Sequence, residues 1–261
     1  MENEKPYVVV TAANEEYSDF LLAQLHSISK NTKLSVKYCI LTDGISDTTK
    51  SLAERLVAPN ITIEYFDVTK QTKPFTYSQI PSPHYWRLFA PFLFSEHSKI
   101  LYLDVDTIIR GNFLTMFSTD LEQHTVGACQ DYLQYVKVGI NNWKNLGLNP
   151  ERVYFNSGVL LINTERFIRN RIAEKAMFYS LSYSDNTKAC GKWEQHDQYG
   201  LNIALDNDFI KLPAKFNFGS ELESIDAIIV HFIGNGKPWS ETCNPIFRDE
   251  FYYYLNQANG E

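Results

Sequence analysis

Two carboxylates one residue apart, Asp104 and Asp106, close the run Ile100, Leu101, Tyr102, Leu103 at the point where its apolar character stops. Side chains alternate along an extended chain, so both acids project to one side while Val105 turns back into the protein. Like charges held that close repel. Such a pair holds a cation, shares a proton or caps the turn that runs on to Gly111, and a divalent ion is the favoured reading. Further along, His231 ends an apolar run and is followed by FIGNGKPW. Gly234 and Gly236 let the backbone approach a ligand closely, and Lys237 sets a cation beside it. A lone histidine is usually a satisfied core residue; one at a strand end beside a glycine-lysine loop has a better claim to ligation. Arg87 sits among Trp86, Leu88 and Phe89, either snorkelling to the surface or aimed at an anion in a cleft. Asp197 and Gln198 stand near the start of a helical segment, as caps or as site residues.

The elements that must position these residues read as alternating strands and helices. A buried strand over Pro6 to Ala13 leads through Asn14, Glu15 and Glu16 into a helix marked by Tyr17, Phe20, Leu21, Leu25 and Ile28. Strands at 36–41 and 61–66 flank a helix over 47–57, which makes the β-α-β alternation firm. Residues 69–82 read as loop and 84–94 as a helix. The acidic strand follows, then a short helix near 113–117 and a strand at 125–129 with Asp131 just past its end. The polar stretch 134–149 reads as a mobile excursion able to cover a substrate. Asn156, Ser157 and Gly158 introduce an apolar strand within 154–163; Thr164 caps a helix to about Tyr183, and 193–205 is helical. Ligands of open α/β sheets gather beyond the carboxyl ends of strands, so residues 11–16 form a candidate contact loop. GxGxxG is absent there, which removes the dinucleotide fingerprint.

The chain has 261 residues, 44% hydrophobic and 21% charged, and a formal charge of -7. That suits one globular α/β domain and argues against a broad basic nucleic-acid surface. Cys39, Cys129, Cys190 and Cys243 show no CxxC spacing, and a reducing compartment suits them. With neither a basic leader nor a run of about 20 apolar residues, a cytoplasmic protein is expected.

Taken in series, YLDVDTIIRGNF, YFNSGVLLIN, EQHDQYGLN, LPAKFNF and HFIGNGKPW closely resemble family 8 glycosyltransferases, the group that includes bacterial lipopolysaccharide galactosyltransferases and glycogenin. The resemblance runs from the first strand to about Trp239. It implies a single GT-A type nucleotide-sugar-binding domain over residues 1–261, with a mixed, mainly parallel central sheet flanked by helices. It implies a retaining hexosyltransferase that uses Mn²⁺, with Mg²⁺ as a substitute, and moves glucose or galactose from UDP-glucose or UDP-galactose to a saccharide or other hydroxyl acceptor in surface-glycan synthesis. Asp104, Asp106 and His231 match the metal ligands. Gly234 and Lys237 match the loop that holds the diphosphate, while Ala12, Ala13, Asn14 and Val105 match the uridine-lining positions. Asn14 departs from an aspartate common in the family. Arg87, Asp131, Asn156, Ser157, Asp197 and Gln198 match positions around the transferred sugar, with Asp197, Gln198 and Arg87 the catalytic set. The family's basic membrane-attaching tail is lacking after Trp239, so membrane association is not expected. Two other readings stay open: a glycoside hydrolase using Asp197 with Asp131, and a sugar-nucleotide-binding or self-glycosylating priming protein, for which the chain carries 16 tyrosines.

Overall fold

Apolar runs of four to seven residues, each ending on a polar cluster, become the strands of an α/β fold in the computed structural model, which describes residues 5–80, 82–121, 123–183, 188–189, 193–194 and 196–259. In chain order the strands are β1 (Tyr7–Ala12), β2 (Val36–Thr42), β3 (Ile61–Asp67), β4 (Lys99–Leu103), β5 (Thr107–Ile109), β6 (Val126–Tyr135), β7 (Val153–Asn163), the short β8 (Lys188–Ala189) and β9 (Trp193–Glu194), β10 (Phe209–Leu212), β11 (Phe218–Gly219) and β12 (Ile229–His231). The helices are α1 (Ser18–Asn31), α2 (Asp47–Leu56), the single turns α3 (Ala90–Leu93) and α4 (Val136–Gly139), α5 (Thr164–Arg169), α6 (Ile172–Ser182), α7 (His196–Leu205) and α8 (Pro245–Asn259). No helix among the described residues is long and apolar enough to cross a membrane.

The described chain forms two compact units. The first comprises Met1–Thr69, Leu101–Ser118 and Ala214–Glu261. Its parallel strands run in the order β4-β1-β2-β3. Val8, Val9 and Val10 of β1 and Cys39, Ile40 and Leu41 of β2 are buried, the near-continuous apolar pattern of parallel strands covered on both faces. Helix α1 packs against α2, α8 and β5, and every residue from Phe20 to Ile28 is buried. Beyond β4, β5 pairs antiparallel with β12, which pairs parallel with β11.

The second unit, Lys70–Ile100 with Thr119–Pro213, is built on β6, antiparallel to β7 and parallel to β10. The register of β6 against β7 shifts on either side of Gln130. Gly200 of α7 lies against α6 so closely that a Cβ there would collide with the carbonyl oxygen of Ala176.

Several expectations are corrected. Residues 84–94 form a 3-10 helix over Pro83–Phe89 and then the single turn α3, because Pro91 cannot supply a donor to a continuous α-helix. Asp131 lies within β6, which runs on to Tyr135, and Asn156 to Gly158 lie inside β7. Asn163, not Thr164, caps α5, its Oδ1 accepting from Arg166 N at 3.0 Å. The helix expected to run to Tyr183 breaks at Arg171, whose φ is 54°. The excursion after Gln134 is packed: Val136 and Ile140 are buried with Tyr154 and Tyr199, and Trp143, Leu146 and Leu148 lean on them. Cys39, Cys129 and Cys243 are free thiols and buried. Cys190 and Gln195 lie outside the described residues.

Candidate functional site

The carboxyl end of β4 releases the chain into a three-residue turn, Asp104-Val105-Asp106, before β5 begins. The antiparallel ladder then sets Thr107 opposite His231, and Phe232 N donates to the Asp106 carbonyl at 2.9 Å. Register brings together side chains that are more than 120 positions apart in sequence. His231 Nε2 lies 3.1 Å from Asp106 Oδ1 and 3.7 Å from Asp104 Oδ2. One ligand atom from each of the three residues falls within 4.8 Å of the others. Ligands about 2.1 Å from a common octahedral ion stand about 3–4 Å apart, so the spacing fits such an ion.

The donor chemistry fits as well. His231 Nδ1 donates to Asn217 Oδ1 at 2.9 Å, which orients the ring so that Nε2 faces the carboxylates. Two carboxylate oxygens and one imidazole suit Mg²⁺ or Mn²⁺ better than a soft ion. Lys237 Nζ donates to Asp106 Oδ2. Burial alone would raise the Asp106 carboxyl, but the charges and hydrogen bonds of His231 and Lys237 outweigh it and hold the group well below the usual carboxylate range. Burial opposes charge on Lys237 too, and Asp106 overcomes it, raising the ammonium.

Around this centre lie the other predicted residues of the first unit. Gly234 has φ 52°, a left-handed conformation that favours glycine, and a Cβ on Gly236 would collide with Ser220 Oγ. Val105 and Ala13 are buried, and Ala12 closes β1. Among the described residues Asn14 Oδ1 is buried without a hydrogen-bond partner, an acceptor open to a donor. Lys237 Nζ also lies 5.5 Å from the Phe20 ring centroid, and Phe20 touches Tyr17 and the largely exposed Trp239.

The predicted residues of the second unit converge on one buried polar network. Arg87 Nε is 3.0 Å from Asp197 Oδ2, and its Nη1 donates to the Ser157 carbonyl at 2.5 Å and to Ser157 Oγ at 3.1 Å. Ser157 Oγ donates to Asp197 Oδ2 at 3.1 Å, and Ser157 N donates to Gln198 Oε1 at 2.9 Å. Asp131 Oδ2 accepts from Asn156 Nδ2 at 2.9 Å and from Gln198 Nε2 at 3.2 Å, while its Oδ1 accepts from Leu133 N at 2.9 Å. Arg87 therefore does not snorkel: its charge is buried against a buried carboxylate. All six residues are buried, and the first turn of α7 supplies Asp197 and Gln198.

Sequence reasoning missed the residues that hold these groups in place. Asn217 lies in the quoted LPAKFNF, yet nothing local marks it as the partner of His231. Tyr102 O–H donates to Asp104 Oδ1 at 3.1 Å from within the apolar run. Gln24 Nε2, from the buried face of α1, donates to the Asp104 carbonyl at 2.7 Å and to Thr107 Oγ1 at 2.5 Å. Its one readable signal is a polar residue inside a helical apolar stripe.

Comparison with known proteins finds that a model of glycosyl transferase family 8 matches residues 8–243. General stress protein A of Bacillus subtilis is 24% identical over 273 residues, covering 95% of this chain and 92% of its own. A lipopolysaccharide 1,2-glucosyltransferase of Escherichia coli is 24% identical over 276 residues, covering 98% of this chain and 80% of its own. The crystal structure of galactosyltransferase LgtC with donor and acceptor sugar analogs superposes with a TM-score of 0.76 at 22% identity, covering 96% of this chain and 95% of that one.

Proposed function

Because the chain belongs to glycosyltransferase family 8, we propose that it is a metal-dependent, retaining hexosyltransferase, acting as a single GT-A type domain, that moves glucose or galactose from a UDP-sugar to a saccharide or other hydroxyl acceptor. The observation that carries this reading is the convergence of Asp104, Asp106 and His231, with the imidazole oriented by its hydrogen bond to Asn217. Those three residues would hold Mn²⁺ or Mg²⁺, which supplies a Lewis acid for the leaving diphosphate. Kinship with a lipopolysaccharide glucosyltransferase and likeness to a galactosyltransferase bound to donor and acceptor sugar analogs support a hexose donor, a saccharide acceptor and a role in surface-glycan synthesis. The reaction is assigned to the cytoplasm.

The chain's own residues divide the remaining work. Lys237 carries a full positive charge, raised and held, beside the loop of Gly234 and Gly236. At an effective dielectric near 20, unit charges about 4 Å apart interact by about 4 kcal/mol, so Lys237 binds and stabilises a departing diphosphate. Asn14, with its unpartnered oxygen, takes an N–H of the uracil, and Ala12, Ala13 and Val105 line the uridine. Asp131, Asn156, Ser157 and Gln198 hold the hydroxyls of the transferred sugar.

Retention follows from front-side attack. The acceptor oxygen bonds to the anomeric carbon as the bond to the phosphate oxygen breaks, and the acceptor's proton passes to that departing oxygen. Asp197 orients the sugar and does not attack it. Its Oδ2 already accepts from Arg87 and Ser157, and a carboxylate stabilised by a buried guanidinium is a poor nucleophile. A panel of UDP-glucose, UDP-galactose and UDP-N-acetyl sugars, with and without Mn²⁺, tests the assignment. One hexose donor should raise the melting temperature only with the ion and then support transfer; no response to any donor would refute it. Trapping a sugar covalently on Asp197 in a single turnover would refute the front-side step.

A further inference from the structure

The turn Asp104-Val105-Asp106 is held at each end by a different part of the fold. At Asp106 the hold is the sheet itself: the carbonyl accepts from Phe232 N, next to the β5-β12 ladder. At Asp104 the chain has left β4, and the peptide carbonyl points inward. It accepts from Gln24 Nε2 at 2.7 Å and from Thr107 Oγ1 at 3.0 Å. Gln24 is fully buried on α1, beside Phe20, Leu21, Leu25, Ser27 and Ile28. A buried side-chain amide costs free energy unless it is satisfied, and here it is satisfied by the turn and by Tyr38.

The orientation of the amide follows from its partners. The Asp104 carbonyl only accepts, so the face turned to it must be the NH₂ group, and Oε1 faces away. There Tyr38 O–H, from the buried middle of β2, donates to Oε1. Burial drives the Tyr38 hydroxyl far above its ordinary range, so it stays a donor at any working pH. A relay of fixed polarity thus runs from β2 through α1 to the peptide plane between Asp104 and Val105.

We infer that Gln24 is a positioning residue for the metal-ligating turn: by fixing the Asp104 peptide, it sets the direction in which the Asp104 carboxylate meets Asp106 and His231. This rests on the reading of those three residues as metal ligands. Groups that orient ligands typically tune metal affinity about 10- to 100-fold. Loss of the amide leaves the Asp104 carbonyl with Thr107 Oγ1 alone, so that end of the turn is held more loosely while the other stays clamped.

Mn²⁺ binding, measured by the loss of the free-ion paramagnetic resonance signal, separates this from a purely structural role. Gln24→Met keeps the volume and removes all three hydrogen bonds of the amide, to Asp104, Thr107 and Tyr38, and is expected to weaken Mn²⁺ affinity about 10-fold. Tyr38→Phe, which removes one oxygen and keeps the ring, should weaken it by a smaller factor and remains measurable if Gln24→Met does not fold. Ile28→Ala, on the same buried face of α1, should lower the melting temperature without changing affinity. Asp106→Asn should abolish binding. If wild type binds and Asp106→Asn does not, while folded Gln24→Met or Tyr38→Phe binds like wild type, the role of Gln24 is overturned and the ligand set stands. If Ile28→Ala weakens binding as much as Gln24→Met, the effect is one of stability and the inference fails. If wild type binds no Mn²⁺, or Asp106→Asn binds it unchanged, the ligand reading falls and Gln24 falls with it.

Discussion

Asp106 is the residue on which most contacts of the centre meet, since His231 and Lys237 both reach its carboxylate and β12 holds its backbone. Asp106→Ala is expected to cut metal-dependent transfer by at least about 100-fold while far-UV dichroism stays unchanged, because the residue lies outside the strands. Asp197 is different in kind. Its removal leaves the Arg87 guanidinium buried without its counter-charge, which costs about 3–5 kcal/mol when a buried pair is broken. Urea unfolding should show that loss for Asp197→Ala, and the double change Arg87→Met with Asp197→Leu should lose less than the single. The acids, His231 and Lys237 were legible in the sequence because each sits where an apolar run stops or a glycine loop begins. Asn217, Gln24 and Tyr102 were not, because a buried polar side chain is defined by its partner, and Gln24 reaches 80 positions along the chain to Asp104.

At the scale of elements, β-α-β alternation carries the reading well where strands are uniformly buried, and fails where a local rule overrides period. The apolar spacing of residues 84–94 is helical, yet Pro91 divides it, and Arg87 is turned inward on a 3-10 turn to meet Asp197. The excursion after Gln134 looked polar because its glycines and asparagines dominate the count, while Val136, Ile140 and Trp143 supply its packing. A second local device ties the 3-10 turn Glu15–Tyr17, which follows β1, to α2. Glu15 accepts from Ser46 N at 2.8 Å, from Ser46 Oγ at 2.8 Å and from Thr49 Oγ1 at 2.9 Å, bracing the first turn of α2. The backbone bond from Ser46 is the main cause that lowers its carboxyl below the ordinary 4.5. A lowered carboxyl adds stability that is present above its ordinary value and is lost as pH falls through the lower, folded value. Wild type should therefore melt above Glu15→Gln at pH 7, and thermal scans should show the gap closing below about pH 4.

Over the whole molecule, the alternation of strands and helices was readable, whereas the two compact units were not, since each is assembled from separated stretches with no shift in composition between them. Under the proposed function, a net charge of -7 would repel a nucleotide sugar at long range and leave recognition of its diphosphate to short-range cations such as Lys237. Long-range order enters the centre through one narrow ladder, in which Ile229, Val230 and His231 oppose Ile109, Ile108 and Thr107. Parity governs that ladder, and a slip by a single position would swing the imidazole to the opposite side of the ribbon. Length is therefore free to vary before the ladder but not within it. One extra residue beside Ile225, almost fully exposed between β11 and β12, is expected to leave Mn²⁺ binding intact, whereas one placed between Ile229 and Val230 should erase it at equal expression. In a lineage of such chains, insertions and deletions would collect around position 225 and halt at 229.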